Sequence, residues 1–309
     1  MNEPLVTIIV PAKDAQETVE KCMDSILSID YANYEVIAID DGSQDKTSQF
    51  LERYRPKIEI IANSLSLGPS ESRNKAAQQG KGDYLAFTDA DCIVDRDWLR
   101  GLLEGIKQFP QAVSCGGRQE IPQDAGDFQK EVFLFMKKNR FITDYMRAGK
   151  DAILEVSHNA SCSVLYKREV FLKAGGFLKN LWPGEDVEFD YRLRKAGYKL
   201  VFNPKAIIYH YRPENIKKFC GMMYRYGWAQ GFLVRKYGFF RRLQIVPFLS
   251  LTFSILFLLT LLFKFYLLGL LFIAVGASFL CIYFNKISFI SILGILNWHF
   301  GFFRKFLEI

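Results

Sequence analysis

Asp89 and Asp91 stand one residue apart and close the run Gly82-Asp-Tyr-Leu-Ala-Phe-Thr-Asp-Ala-Asp. The apolar stretch Tyr84 to Phe87 before them reads as a short strand. Residues i and i+2 at a strand end point to the same side, so the two carboxylates can converge on one point. Hard oxygen ligands of this kind suit Mg²⁺ or Mn²⁺, ions that commonly keep water and substrate phosphates as their other ligands. Asp is also common at ordinary strand-to-loop junctions, so the pair takes its meaning from the rest of the chain.

Two further acidic pairs stand out. Asp40-Asp41 ends the apolar run Tyr34 to Ile39 and leads into Gly42-Ser43. Glu185-Asp186 comes after Trp182-Pro-Gly and opens a helix that carries Val187, Tyr191 and Leu193 and is capped by Gly197. The helix dipole accounts for one acid at that position; it does not account for two after such a loop. The histidines are His158, His210 and His299, which excludes a His-rich metal site. The six cysteines form no C-x-x-C pair and no zinc spacing, which fits a reduced compartment and small core residues.

The elements that must position these acids read as an α/β alternation. Leu5 to Val10 is a continuous β-branched run, as in a strand buried on both faces, and Pro11 ends it. Ala15 to Leu27 has helical spacing, Tyr34 to Ile39 is the next strand, and a helix runs through Gln49 to Arg53. Ile58 to Ala62 is a strand and Gly68 to Gln79 a helix. This pattern predicts a mostly parallel sheet with right-handed crossovers, whose ligands bind at the carboxyl ends of the strands. Pro11, Asp40-Asp41 and Asp89-Ala90-Asp91 all fall at such ends, so one cleft should collect them. The second half is mixed: strands over Gln111–Gly117, Ala160–Tyr166, Lys199–Phe202 and Ala206–His210, with helices over Phe128–Arg147 and Arg168–Ala174. The aromatic residues of Phe128–Arg147 could be core or could line an acceptor groove.

The chain carries a net charge of +7, much of it between Arg212 and Arg242. A basic block can serve nucleic acid or an anionic membrane, and the apolar tail beyond Arg242 points to membrane rather than nucleic acid. Ile245 to Phe263 and Phe265 to Phe284 are uncharged, interrupted only by Lys264. Each run, as a helix, spans about 28–30 Å, the thickness of a bilayer's hydrocarbon. A tight helical hairpin is expected, and the third run, Ile287 to Phe303, either crosses as well or lies in the interface. The expected organisation is a catalytic domain over 1–215, a basic juxtamembrane segment over 216–244 and a membrane region over 245–309. The early apolar run Leu5 to Val10 is too short for a signal peptide, and the basic residues before Ile245 obey the positive-inside rule. The expected location is therefore a multi-pass protein of the cytoplasmic membrane with its catalytic domain in the cytoplasm.

Other classes lack their marks. There is no G-x-G-x-x-G after the first strand and no Walker A motif. Pro11-Ala-Lys-Asp14 is not the Gly-rich basic loop of a sugar-phosphate nucleotidyltransferase.

In order along the chain, Val6-Thr-Ile-Ile-Val-Pro-Ala-Lys-Asp14, Ala38-Ile-Asp-Asp-Gly-Ser43, Gly68-Pro-Ser-Glu-Ser-Arg-Asn-Lys-Ala76, Thr88-Asp-Ala-Asp91, Gly184-Glu-Asp-Val187 with Arg192-Leu-Arg-Lys-Ala-Gly197, and Ala206-Ile-Ile-Tyr-His210 resemble the family-2 glycosyltransferases. The resemblance covers roughly Leu5 to Tyr211. It implies a GT-A fold and inverting, metal-dependent transfer from a nucleotide-diphosphate sugar, UDP- or GDP-linked. By the same resemblance, Asp41 binds the nucleotide base in a pocket shaped by Pro11, Ala12 and Asp40, and Arg73 contacts the donor. Asp89 and Asp91 hold Mg²⁺ or Mn²⁺, with Asp91 the direct ligand; Asp186 is the catalytic base; and His210 reaches the metal or diphosphate. Ser72 and Ala76 depart from the family's usual Ala and Gly, which bears on helix packing more than on chemistry. The Q-x-x-R-W signature of processive synthases is absent, with only a partial echo in Tyr224-Arg-Tyr-Gly-Trp228, which favours single addition. The apolar tail suits a lipid-linked saccharide acceptor, with direct transfer to polyprenyl phosphate as the second choice. A catalytically inactive nucleotide-sugar-binding scaffold is the reading from another class.

Overall fold

A computed structural model describes residues 3–139, 141, 152–262, 269–270, 273–276, 278 and 289–308. The chain forms two compact units: Met1–Ala125 with Ile142–Arg212, and Gly126–Phe141 with Pro213–Ile309.

The first unit is built on a nine-stranded sheet. Its strands are β1 (Val6–Ala12), β2 (Tyr34–Asp40), β3 (Glu59–Ala62), β4 (Tyr84–Thr88), β5 (Cys92–Val94), β6 (Ala112–Glu120), β7 (Leu154–Val156), β8 (Ser163–Lys167) and β9 (Lys199–His210). Their order is β3-β2-β1-β4-β8-β6-β9-β5, with β7 paired to β9. The half from β3 to β4 is parallel, as the strand–helix alternation predicts. Beyond it the expectation of a mostly parallel sheet fails. β8 runs antiparallel to both β4 and β6, and β9 is parallel to β6 but antiparallel to β5 and β7. The physical reason lies in the connections: β8 is immediately preceded by β7 and the irregular residues 157–162 rather than by a helix that would return the chain for parallel pairing.

β1 is buried along almost its whole length because both faces are covered. Ile8 and Val10 face a core with Val19, Cys22, Met23 and Ile26 of α1 (Val19–Ile26) and with Trp98, Leu99 and Leu102 of α4 (Trp98–Gln108). Ile9 points the other way, toward Ala76 and Ala77 of α3 (Pro69–Gln79), Phe171 of α6 (Arg168–Lys173), and Phe189 and Leu193 of α7 (Glu185–Lys195). A short α2 (Thr47–Glu52) comes after β2. The alternation of Ile8, Ile9 and Val10 between two cores is the period-2 pattern that a doubly covered strand demands.

Asn203-Pro204 does not end a strand. β9 runs unbroken through it, and the strain appears as a register shift against β6 between Gly117 and Arg118. Pro204 is tolerated there because an irregular ladder needs no N–H from it.

The second unit contains α5 (Asp127–Lys138), α8 (Ile216–Tyr237), a 3-10 turn (Arg242–Ile245), α9 (Val246–Leu262) and α10 (Phe289–Leu307). The expected basic juxtamembrane segment is therefore mostly the long helix α8. α8 and α10 approach so closely that a Cβ on Gly227 would lie 1.8 Å from the Trp298 carbonyl oxygen, and one on Gly301 2.0 Å from that of Tyr224. Only glycine permits such backbone contact. Phe219, Trp298 and Phe302 fill the space between. α5 turns out to present Phe135 to Phe219, edge to face at 5.5 Å, so its aromatics serve a core. The remainder of the predicted helix, 142–147, lies outside the described residues.

Among the described residues, one helix is long and apolar enough to cross a membrane. It covers Arg242–Thr260, with mean hydropathy 2.0 and 17% of its residues buried. The run 265–284 lies mostly outside the described residues, so neither a hairpin nor a three-helix anchor is established.

Candidate active site

The carboxyl ends of β1, β2 and β4 lie level. Ala12 pairs with Asp40 across the β1–β2 ladder, Ile9 pairs with Phe87 across β1–β4, and the Asp41 N–H donates to Ala12 O at 2.8 Å. Pro11, Ala12, Asp40, Asp41 and Asp89 thus gather at one rim of the sheet.

Asp41 is held by the loop after β3. Its Oδ1 accepts from Asn63 Nδ2 (2.8 Å), Leu67 N (2.8 Å) and Ser72 Oγ (2.9 Å), and its Oδ2 from Ser66 Oγ (2.8 Å) and Gly68 N (2.9 Å). Burial opposes ionisation, but the Leu67 N–H and the Asn63, Ser66 and Ser72 donors outweigh it and hold the carboxyl below its usual range. Both oxygens are engaged by the protein itself, so Asp41 fixes residues 63–72 in place. Ser72, which departs from the family's usual Ala, is one of these donors; its effect reaches the site and not helix packing alone. Asp40 accepts from Ser43 N at 3.0 Å and so shapes the turn.

Asp89 and Asp91 flank the turn between β4 and β5. The β5–β9 ladder pairs Cys92 with His210, and Tyr211 N donates to Asp91 O at 3.1 Å. That main-chain pairing sets His210 Nε2 3.3 Å from Asp91 Oδ1. Ligand atoms of Asp89, Asp91, Cys92 and His210 all lie within 4.8 Å of one another. His210 Nδ1 is buried with no hydrogen-bond partner among the described residues. Burial and the charge of Arg212 push the His210 imidazole down, but Asp91 and Cys162 pull it up, to about 9. Partial burial opposes the ionisation of Asp91, while His210 and Arg212 hold its carboxyl below the usual range. Two carboxylates and an imidazole are a donor set that Mn²⁺ or Mg²⁺ accepts, and the Asp91 side chain stays 47% exposed toward an incoming ligand.

Arg73 links this cluster to the second acidic pair. It is 1% exposed; its Nη2 pairs with Asp89 Oδ1, and its Nη1 reaches Glu185 Oε1 at 2.8 Å. Ser161 continues the chain, its hydroxyl donating to Glu185 Oε1 (3.0 Å) and its N–H to Asp186 Oδ2 (3.0 Å). Burial pushes Glu185 up to about 8, with the Asp186 charge adding and Arg73 opposing. Gly184 starts α7 at φ +98, a left-handed conformation that glycine adopts without penalty. Ser70 of α3 ties the preceding loop by donating to Leu181 O at 2.5 Å. Asn74 fixes the neighbouring loop after α6 by exchanging two bonds with the backbone of Phe177 (2.8 and 2.9 Å).

Glu185, Ser161, His158 and Asp190 belong to this network, and sequence reasoning gives none of them a role. Asp190 carried a signal, since it lies four residues after Asp186 and so on the same helix face. His158 and Ser161 carried none, because they sit in the irregular stretch before β8.

The sequence profile of Glycosyl transferase family 2 matches residues 7–174, more than half of the chain. Glycosyltransferase AglE of Haloferax volcanii is 27% identical over 212 residues, covering 67% of each chain. A Methanococcus voltae protein is 24% identical over 257 residues, covering 79% of this chain and 78% of its own. It is named dolichyl N-acetyl-alpha-D-glucosaminyl phosphate 3-beta-D-2,3-diacetamido-2,3-dideoxy-beta-D-glucuronosyltransferase. Among solved structures, the mannosyltransferase PcManGT from Pyrobaculum calidifontis, in complex with GDP-Man and Mn²⁺, superposes with a TM-score of 0.71 at 17% identity, over 99% of this chain and 88% of its own. With its GT-A-like mixed sheet and its ordered acidic motifs, the chain belongs to glycosyl transferase family 2 and is a glycosyltransferase.

Proposed function

We propose that this enzyme transfers a sugar, with inversion, from a nucleotide-diphosphate sugar to a lipid-linked saccharide at a membrane. The observation that carries the reading is that Asp91 and His210, in contact with each other, lie within 4.8 Å of Asp89, from which contacts run through Arg73, Glu185 and Ser161 to Asp186. This arrangement couples a cation-holding end to a carboxylate positioned to act as a base, the two functions that such a transfer needs.

Asp91, Asp89 and His210 would hold Mn²⁺ or Mg²⁺, which when bound neutralises charge on the leaving diphosphate. Asp89 is already paired with Arg73, so Asp91 and His210 have the freer donor atoms. Arg73 keeps Asp89 oriented and adds positive charge behind the diphosphate position. Pro11, Ala12, Asp40 and the loop 63–68 that Asp41 secures form the nucleoside end, where the base is UDP- or GDP-type. Asp186 accepts the proton of the acceptor hydroxyl as that oxygen attacks the anomeric carbon from the face opposite the diphosphate. No protein nucleophile is required.

The acceptor assignment rests on the apolar helix Arg242–Thr260 and on the Methanococcus voltae relative, whose name gives a dolichyl-phosphate-linked sugar as its acceptor. The basic residues between Arg212 and Arg242 add attraction to anionic headgroups of about 1 kcal/mol each near the surface. They favour the cytoplasmic side for the catalytic unit.

The test is a panel of nucleotide sugars scored by thermal shift in detergent with Mn²⁺, beginning with GDP-mannose and UDP-N-acetylglucosamine, and then turnover of the best donor. Asp186→Asn should bind that donor with unchanged affinity and lose turnover. Full turnover in Asp186→Asn would discard the base assignment.

A further inference from the structure

Behind Asp186 lies a second carboxylate, with an imidazole between the two. Asp186 and Asp190 stand one turn apart on α7. Asp190 is fully buried. It accepts from Asn159 N (2.6 Å) and Tyr166 Oη (2.8 Å), and its Oδ2 lies 3.1 Å from His158 Nδ1. Burial pushes the Asp190 carboxyl up, while His158, Asn159 and Tyr166 pull it back toward the charged form. A carboxylate already served by two donors takes a third from the imidazole, so His158 Nδ1 carries the hydrogen. In the neutral form of the ring, Nε2 then holds a lone pair. That nitrogen faces Asp186 Oδ2 at 3.9 Å. Two acceptors face one another there, and a single added proton on either would join them. The same Asp186 Oδ2 accepts from Ser161 N, which keeps it from swinging away.

A bland account makes His158 a spacer between the loop before β8 and α7. That account explains the bond to Asp190. It does not explain why the second ring nitrogen is aimed at the carboxylate proposed as the base.

We propose that His158 is a positioning residue that takes up the proton Asp186 removes from the acceptor hydroxyl, with Asp190 as its fixed counter-charge. The proposal rests on Asp186 being the base. The acceptor O–H bond breaks as its oxygen bonds to the anomeric carbon, and the bond from that carbon to the diphosphate breaks with both electrons leaving on the diphosphate. The proton passes to Asp186 Oδ2 and then to His158 Nε2, and returns to solvent after product release. No oxidant or reductant enters. The transfer requires the 3.9 Å gap to close to hydrogen-bond length, about 2.8 Å. The groups that face His158 are Asp186 and Asp190 from α7, Tyr166 from β8 behind Asp190, and Glu185 through Ser161, itself paired with Arg73 of α3.

Two measurements on the full chain in detergent test this. The first needs no substrate. With histidines isotopically labelled, the His158 resonance is assigned by its loss in His158→Gln and titrated by NMR. It should show the Nδ1–H form at rest, and in Asp186→Asn its midpoint should fall by at least half a pH unit, because the facing negative charge is gone. An unchanged midpoint would overturn the relay. The second uses the donor selected in the panel. His158→Gln can still bond Asp190 but has no basic nitrogen. It should keep the donor Kd and the melting temperature, lower kcat at least tenfold, and lose the acid limb of kcat that the imidazole imposes. A wild-type kcat or an unmoved limb would also overturn it. Failure of the base reading looks different, since Asp186→Asn would then turn over at the full rate whatever His158 does.

Discussion

Replacing Arg73 by Met removes the only cation that the described contacts place between Asp89 and Glu185. Arg73 is 1% exposed and Glu185 2%, so water cannot take over. Breaking a buried ion pair by deleting one partner costs about 3–5 kcal/mol, because the other charge stays buried without compensation. At about 2–4 °C per kcal/mol for a domain of this size, the melting temperature should fall by roughly 6–20 °C. The deficit has a pH signature. Folding raises the Glu185 carboxyl from 4.5 to about 8. A group raised in the folded state contributes its stability below the unfolded value and loses it as pH rises through the folded one. The loss in Arg73→Met should therefore be smallest near pH 5 and largest above pH 8. Adding Glu185→Gln should recover part of it, since a neutral amide needs no counter-charge. The assay is thermal unfolding by intrinsic fluorescence in mild detergent, across pH 5–9. A loss below about 1 kcal/mol, or one that neither varies with pH nor responds to Glu185→Gln, would refute the view of Arg73 as the clamp between the two acidic pairs.

Asp91→Ala should abolish the Mn²⁺-dependent part of donor binding, and isothermal titration with and without Mn²⁺ will show whether the two curves collapse onto one. Asp41→Leu should loosen the loop 63–72 by removing five accepted hydrogen bonds. Faster amide exchange at Leu67 and Gly68 is the readout, and wild-type protection would count against the assignment. In the parent, the lowered Asp41 carboxyl contributes stability above its unfolded value, lost as pH falls through the folded one. Gly301→Leu should destabilise the second unit by several kcal/mol, at least the 1–3 of ordinary overpacking, because its Cβ meets backbone rather than a side chain that could yield. A melting temperature within about 2 °C of the parent, less than one kcal/mol on this scale, would contradict the described approach of α8 and α10.

The parallel half of the sheet was legible because β1, β2 and β4 are short apolar runs that stop at Pro or Asp, and hydrophobic period together with turn chemistry is local information. The antiparallel half was not. Whether β8 enters beside β4 or elsewhere depends on partners far away in sequence, and the three-residue strands β5 and β7 have no period to read. β5 matters most, since its pairing with β9 is what brings His210 to Asp91. The site divides the same way. Asp89, Asp91 and Asp186 announce themselves as acids at element ends. Arg73 was named through its motif, yet its double engagement by Asp89 and Glu185 could not be anticipated from spacing. The position of Asp41 at a strand end was legible, but the five protein donors that its oxygens accept from were not, because they lie on the loop after β3 and the start of α3.

The glycine contact between α8 and α10 has a consequence for the surroundings this unit can tolerate. At the glycines themselves, where main chain meets main chain, cohesion comes from close atomic contact and not only from the burial of Phe219, Trp298 and Phe302. Contact of that kind does not depend on water, so it can act among acyl chains as well as in an aqueous medium.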